Sequence, residues 1–242
     1  MKFLITGGSG KLGTALKKEF PDGLFPNHKE LDITNPIKVN NYFEKNSPDI
    51  IIHTAAMTDV RKCETNKRKA WQTNVEGTKN LIQASIKQKS PPYFIYISTA
   101  CVFDGESSFY DEGSFPNPKN FYGLTKLIGE TIVENSGLKN WIVIRTNFVA
   151  KTSWRYKKAF TDRFGTFLFS NEVAHGIKEI INAKKIGIIH LTGDKNMSMY
   201  KLAKVLSPTI EPTTLKEYHG PSLTKDMSLG SKKWKKYTMD IT

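Results

Sequence analysis

Short β-branched and apolar runs alternate along this chain with longer amphipathic stretches, a rhythm that predicts a parallel sheet covered by helices on both faces. The predicted strands are Lys2–Thr6, a short one near Leu24, Asp49–His53, Tyr93–Thr99, Trp141–Thr146 and Gly187–Leu191. Three of them, Asp49–His53, Tyr93–Thr99 and Trp141–Thr146, are almost continuously apolar, as strands buried on both faces should be. Helical spacing predicts helices over about 11–20, 37–45, 68–88, 121–135 and 171–183. In the longest of these, Trp71, Val75, Thr78, Ile82 and Ile86 form one stripe. Ser198 is placed as the N-cap of a last helix, Met199–Leu206. The pattern loosens over 147–170, and Pro208, Pro212 and Pro221 punctuate the end of the chain.

At 242 residues the chain can bury one substantial core with a small appended lobe, but hardly two full domains. Its formal charge of +13 raises the question of a polyanionic partner. Lysine supplies the excess, mostly scattered over predicted helix faces. The one dense run, Lys232–Lys236, is not on a helix built to enter a groove. A solvated surface is the expectation, with neither nucleic acid nor a membrane as partner. The same charge would attract a small ligand that carries several phosphates.

Only Cys63 and Cys101 are present, in settings that suggest no disulfide framework and no metal site. Met1–Ile5 runs straight into a glycine-rich turn, without the apolar length of a signal peptide or membrane span. The expectation is therefore a cytoplasmic protein.

Gly7, Gly10 and Gly13 follow the first predicted strand and open the first helix. Such a turn lets the backbone approach a pyrophosphate, which rests on the helix amides, here those of Gly10, Lys11, Leu12 and Gly13. A dinucleotide site is expected, and with it an α/β fold, a Rossmann-like doubly wound parallel sheet. The expected division is a cofactor-binding domain over 1–146 and 171–190 and a small C-terminal substrate lobe over 147–170 and 191–242. An NAD-selective site usually presents a carboxylate after the second strand. Pro26-Asn27-His28-Lys29 offers none, while His28 and Lys29 could neutralise a 2′-phosphate. NADP(H) is the expected cofactor, with NAD(H) as the alternative.

Tyr122 and Lys126 stand four residues apart on a predicted helix and project from one face. A neighbouring ammonium favours the ionised phenol, bringing a group of pKa about 10 toward the range of a useful general acid or base. Thr99 ends the fourth strand in the prediction, at the carboxyl edge where open α/β sheets bind ligands. Each residue alone is commonplace; together, in this order after a glycine turn, they form a candidate acid–base site.

These residues resemble the extended short-chain dehydrogenase/reductase family, and more closely its dTDP-4-dehydrorhamnose reductases. The matching runs include Leu31-Asp32-Ile33-Thr34-Asn35, Thr54-Ala55-Ala56-Met57-Thr58, Cys63-Glu64, Asn74-Val75-Glu76-Gly77-Thr78, Val102-Phe103-Asp104-Gly105, Tyr122-Gly123-Leu124-Thr125-Lys126 and Phe164-Gly165-Thr166. The resemblance implies a catalytic trio of Thr99, Tyr122 and Lys126, with Lys126 also bonding the nicotinamide ribose. It puts Asp32 and Ile33 near the adenine, Ala55 and Ala56 along the cofactor's middle, and Asn74 toward the nicotinamide. Asn74 could equally be a helix residue that fixes backbone contacts. The implied reaction reduces a nucleotide-linked 4-keto-sugar while Tyr122 protonates the emerging alkoxide.

Two features depart from that pattern. Ala100 and Cys101 follow the threonine where the reductases ordinarily have Asp and Tyr, and the segment between Arg145 and Phe164 is shorter. The missing acid argues against a dehydratase. Cys101 resembles the cysteine of GDP-fucose synthases and related epimerase-reductases, with Lys151 or Lys157 as a partner acid; the alternative is a small buried side chain at a strand end. The short segment leaves the substrate site more open, completed by a second subunit as in a homodimer, or partly lost. Two rivals to the reductase stay open: a nucleotide-sugar epimerase that uses the same trio, and an NADP-binding regulatory subunit like that of methionine adenosyltransferase.

Overall fold

In the computed structural model, which describes residues 1–241, five parallel strands form the central sheet. They are β1 (Phe3–Thr6), β2 (Ile50–His53), β3 (Tyr93–Thr99), β4 (Trp141–Thr146) and Gly187–His190, hydrogen-bonded in that order. Alternation along the strands builds two cores. Ile5, Ile52, Ile95 and Ile144 face helices α1 (Lys11–Glu19) and Ser170–Asn182, while Leu4, Ile51, Phe94 and Val143 face α2 (Pro36–Asn46) and Gly77–Ile86. Helices on both faces explain why these strands read as nearly unbroken apolar runs.

The short strand expected near Leu24 is a single bridge to Leu4. Its backbone bonds, Ile5 N–H to the Leu24 carbonyl and Leu24 N–H to that of Phe3, are both 2.8 Å. The chain thus leaves β1 toward one side and returns as β2 on the other. That reversal opens a crevice at the carboxyl ends of β1 and β2, the topological switch point of an open sheet.

The helix expected over 68–88 is broken. Val60–Thr65 and Lys67–Trp71 lead into a π-helical turn over Gln72–Glu76, and only then does Gly77–Ile86 continue as α-helix. A π turn inserts an extra residue and rotates the next stretch of helix about its axis. The predicted stripe therefore holds only in its middle: Val75, Thr78 and Ile82 are buried, whereas Trp71 and Ile86 are largely exposed. The remaining long helix, Phe121–Glu134, covers β3 and β4.

Beyond β4 the chain forms short strands. Phe148–Val149 pairs with Leu168–Phe169, Lys158–Phe160 with Glu211–Thr213, and Phe164–Gly165 lies between Met197–Ser198 and Asp226–Met227. Met197, Leu202, Met227 and Leu229 join the core beneath α1, and a separate small cluster forms around Ala159, Ala203 and Ile210. Ser198 caps Met199–Leu206 through the Lys201 amide. Among the described residues no helix is long and apolar enough to cross a membrane.

Candidate active site

The crevice begins at the glycine turn. Gly7 has φ +73°, and a side chain there would stand 2.7 Å from the Ala55 nitrogen, so the turn can press against the loop after β2 only with glycine. Gly10 caps α1 without a side-chain hydrogen bond, and the first helical turn carries no acid. Its amides and the positive end of the helix dipole are therefore available to an anion. Leu12 belongs to the core, so it can serve a ligand here only through backbone.

The crevice, about 430 Å³, is lined by Gly7, Gly8, Ile33, Ala55, Ala56 and Met57 among others. His28, Lys69 and Thr73 also line it. Lys29 instead lines the adjoining groove with Tyr42 and Lys45, while Lys69, on the helix Lys67–Trp71, lines the crevice. Asp32 is engaged locally: it accepts from the Thr34 amide (3.0 Å) and hydroxyl (2.7 Å) and lies 3.7 Å from His28. Burial raises its pKa, but these hydrogen bonds and nearby His28 and Lys38 outweigh that and hold it below the ordinary value.

The second half of the site lies over β3 and β4. Thr99 ends β3 and accepts a hydrogen bond from the Cys101 amide (3.2 Å), closing a tight turn over Ala100–Val102. Gly123 packs its backbone onto the Cys101 carbonyl, an approach that a Cβ would block. The start of Phe121–Glu134 is also fixed by Asn120, which accepts from Gly123 (2.9 Å), and by Glu64, which accepts from the Phe121 amide (2.7 Å). Tyr122 is thereby delivered to the neighbourhood of Thr99, whose side chain favours the ionised phenol.

The phenol's burial, not a neighbouring ammonium, dominates its acidity: Tyr122 is pushed above its ordinary value, with Cys101 and Cys63 adding to the effect and Thr99 opposing it. This corrects the expectation of a lowered phenol pKa. Burial also lowers Lys126 to about 7, with Glu130 opposing the shift. The Lys126 ammonium sits 3.9 Å from the centre of the Tyr96 ring, a cation–π contact. Burial, reinforced by the Lys126 charge, holds His53 down at about 3. One helical turn beyond Lys126, Glu130 is locked to Arg145 at 2.7 Å and accepts from Ser98.

Asn74 lies in the π turn with its amide committed. It accepts from the Met57 amide (2.7 Å) and donates to the Met57 carbonyl (3.0 Å) and to Thr125 (2.9 Å). Thr125 in turn donates to the Tyr122 carbonyl. Of its two expected roles the geometry supports fixing backbone: Asn74 ties the crevice loop to the turn that carries Tyr122.

Cys101 is buried, with Sγ 3.9 Å from Met227 Sδ, and faces Tyr122. The lysines expected beside it are elsewhere. Lys151 lies 3.3 Å from Asp240 and 5.5 Å from the Phe169 ring centre, and Lys157 is exposed. The cation facing Cys101 is Arg163, in the segment where the sequence pattern loosens.

The model of the RmlD substrate binding domain family matches residues 1–218. A dTDP-4-dehydrorhamnose reductase of Aggregatibacter actinomycetemcomitans is 32% identical over 93% of this chain and 87% of its own. Methionine adenosyltransferase 2 subunit beta of Bos taurus is 26% identical over 84% of this chain and 70% of its own. Among solved structures, dTDP-4-dehydrorhamnose reductase of Bacillus anthracis str. Ames in complex with NADP superposes with a TM-score of 0.86 at 27% identity, covering 94% of this chain and 89% of that one.

Proposed function

The chain belongs to the RmlD substrate binding domain family, and on that premise we propose that it is an NADP(H)-dependent reductase of a nucleotide-linked 4-keto-deoxysugar, similar to dTDP-4-dehydrorhamnose reductase. The carrying observation is that Thr99, at the carboxyl end of β3, neighbours Tyr122, with Lys126 one helical turn further on against the Tyr96 ring, in the sheet that also holds the glycine crevice. A relative of 32% identity is such a reductase, and a structural relative carries NADP.

The crevice residues fit the cofactor. The open amides of the α1 start would hold the pyrophosphate, Ile33 and Ala55 the adenosine, and His28 with Lys69 a 2′-phosphate. NAD(H) is the alternative cofactor in the same cradle. When bound, NADPH supplies the hydride for the keto carbon. Thr99 positions the substrate oxygen beside the phenol. Tyr122, kept protonated by burial, donates its proton to that oxygen as charge develops there. Lys126, one turn along the same helix, supplies a donor for the nicotinamide ribose. The short strands after β4, with residues 191–241, form the wall that receives the sugar nucleotide.

The test is NADPH oxidation with a panel of nucleotide-linked 4-keto-sugars, run beside Tyr122→Phe. Substrate-dependent oxidation that the variant loses supports the reductase. Tight NADPH binding without turnover on any sugar overturns it in favour of a binding subunit, the role for which the resemblance to subunit beta speaks. Sugar interconversion without net oxidation would identify an epimerase.

A further inference from the structure

Two arginines are buried deeply in this molecule, and they are treated differently. Arg145 is 2% exposed and grips the Glu130 carboxylate with both arms of its guanidinium. Arg163 is 9% exposed and meets no carboxylate among the described residues. Its Nε donates to the Thr224 carbonyl at 2.9 Å. Nη1 and Nη2 point at the thioether sulfurs of Met199 (3.4 Å) and Met227 (3.1 Å). A guanidinium has five N–H donors, and thioethers are weak acceptors. Buried charges are ordinarily paired, because an uncompensated one loses its hydration without return. Burial accordingly lowers the pKa of Arg163, and the groups that offset the loss are a thiol and two phenols, Cys101, Tyr218 and Tyr156.

The position of Arg163 is equally specific. Met227 Sδ touches both Arg163 and Cys101, and Cys101 faces Tyr122. One methionine therefore separates the guanidinium from the residue beside the proton donor. The Met227 carbonyl is held by Asn147, directly after β4. The preceding residue, Thr146, lies across from Thr99 in the sheet and has a buried hydroxyl with no hydrogen-bond partner. An unpaired cation and an unpartnered hydroxyl thus lie on the same edge as the catalytic trio, and Ala100 supplies no acid to balance them.

Resting on the nucleotide-sugar reading of this site, we propose that Arg163 is the anion-recognition residue of the substrate pocket and pairs with an oxyanion of the substrate. A phosphoryl group of the nucleotide and a carboxylate on the sugar share this chemistry, since both accept two parallel N–H bonds from a guanidinium. Substrate binding then completes the ion pair that the protein leaves open, and a substrate without the oxyanion is rejected.

The test uses the NADPH-loaded protein and calorimetric binding of four probes: TDP against thymidine, and UDP-glucuronate against UDP-glucose. Wild type should bind the anionic member of at least one pair more tightly. In Arg163→Gln, which keeps a donor for the Thr224 carbonyl, the discriminating probe should weaken about 10- to 100-fold. Loss confined to TDP assigns the oxyanion to the nucleotide, and loss of the glucuronate preference assigns it to the sugar. Arg163→Lys, which keeps the charge without the fork, should fall between. Equal affinities of wild type within both pairs, or unchanged anion preference in a folded Arg163→Gln, overturn the proposal. Should Arg163→Gln not fold, Arg163→Lys with wild-type preference overturns it and a weakened preference supports it. Either failure can coexist with NADPH oxidation on a keto-sugar, so it is separable from failure of the reductase reading.

Discussion

Between β1 and β2 the edge of the sheet is walled by backbone, glycine and alanine, and its charged groups stand on the rim. Between β3, β4 and Phe121–Glu134 the same edge is built from side chains that are buried and mutually bonded, with Lys126, Glu130 and Arg145 each less than 5% exposed. On the proposed reading the first region would bind largely through main-chain amides. The second works through individual side chains, whose acidity the fold has shifted. Catalysis and binding should therefore separate by region.

The largest effect is expected from Tyr122→Phe. It removes the proton but little volume, so kcat should drop by about 10²- to 10⁴-fold. The NADPH Kd and Tm should stay near wild type. A comparable loss in NADPH affinity would mean that the two regions are not separable.

The opposite pattern should come from Gly7→Val. A β-branched residue at φ +73° against the Ala55 backbone costs at least about 1–2 kcal/mol, and the turn must shift. NADPH affinity should weaken about tenfold or more, read by cofactor fluorescence, with turnover at saturating cofactor much less affected.

Lys126 gives a pH test of the buried region. In the cofactor-free fold its pKa is lowered from 10.5 to about 7. Above pH 7 the folded protein thus holds fewer protons at this site than the unfolded chain, so stability rises with pH until the ordinary lysine range is reached. At lower pH the folded state carries the whole cost of a buried charge. Lys126→Met should therefore raise Tm most at pH 7 and below, and lose that advantage toward pH 10. A gain independent of pH would show that the ammonium is not desolvated.

The smallest effect belongs to the rim. Lys69→Glu should cut the NADPH-to-NADH preference by about tenfold, the scale of one exposed charge-assisted contact, with Lys29→Glu changing it less because Lys29 lines the neighbouring groove. The reverse ranking would restore the assignment that the sequence around His28 suggests.

The contrast also explains which features the chain discloses without its fold. Strands β1 to β4, the glycine turn and the Tyr122–Lys126 pair lie within local periodicities, where neighbours in sequence are neighbours in space. The break at Gln72–Glu76 is hidden because a π turn keeps helical composition while rotating the face, and Asn74 derives its role from that rotation. Arg163 and Lys69 escape for a related reason. Each looks like one cation among 36, and only the tertiary fold puts one beside Met227 and Cys101 and the other in the crevice that His28 lines. The phenol's acidity is misjudged because proximity to an ammonium can be read from spacing, whereas burial cannot.

Deuterium transfer offers the most direct test of the catalytic assignment. Wild-type protein supplied with NADPH deuterated at both C4 positions and a thymidine-diphosphate 4-keto-6-deoxysugar should place one deuterium at sugar C4 for each NADPH consumed, and Tyr122→Phe should lose that transfer while still binding the cofactor. Tight binding of both ligands with no label at C4 would contradict it.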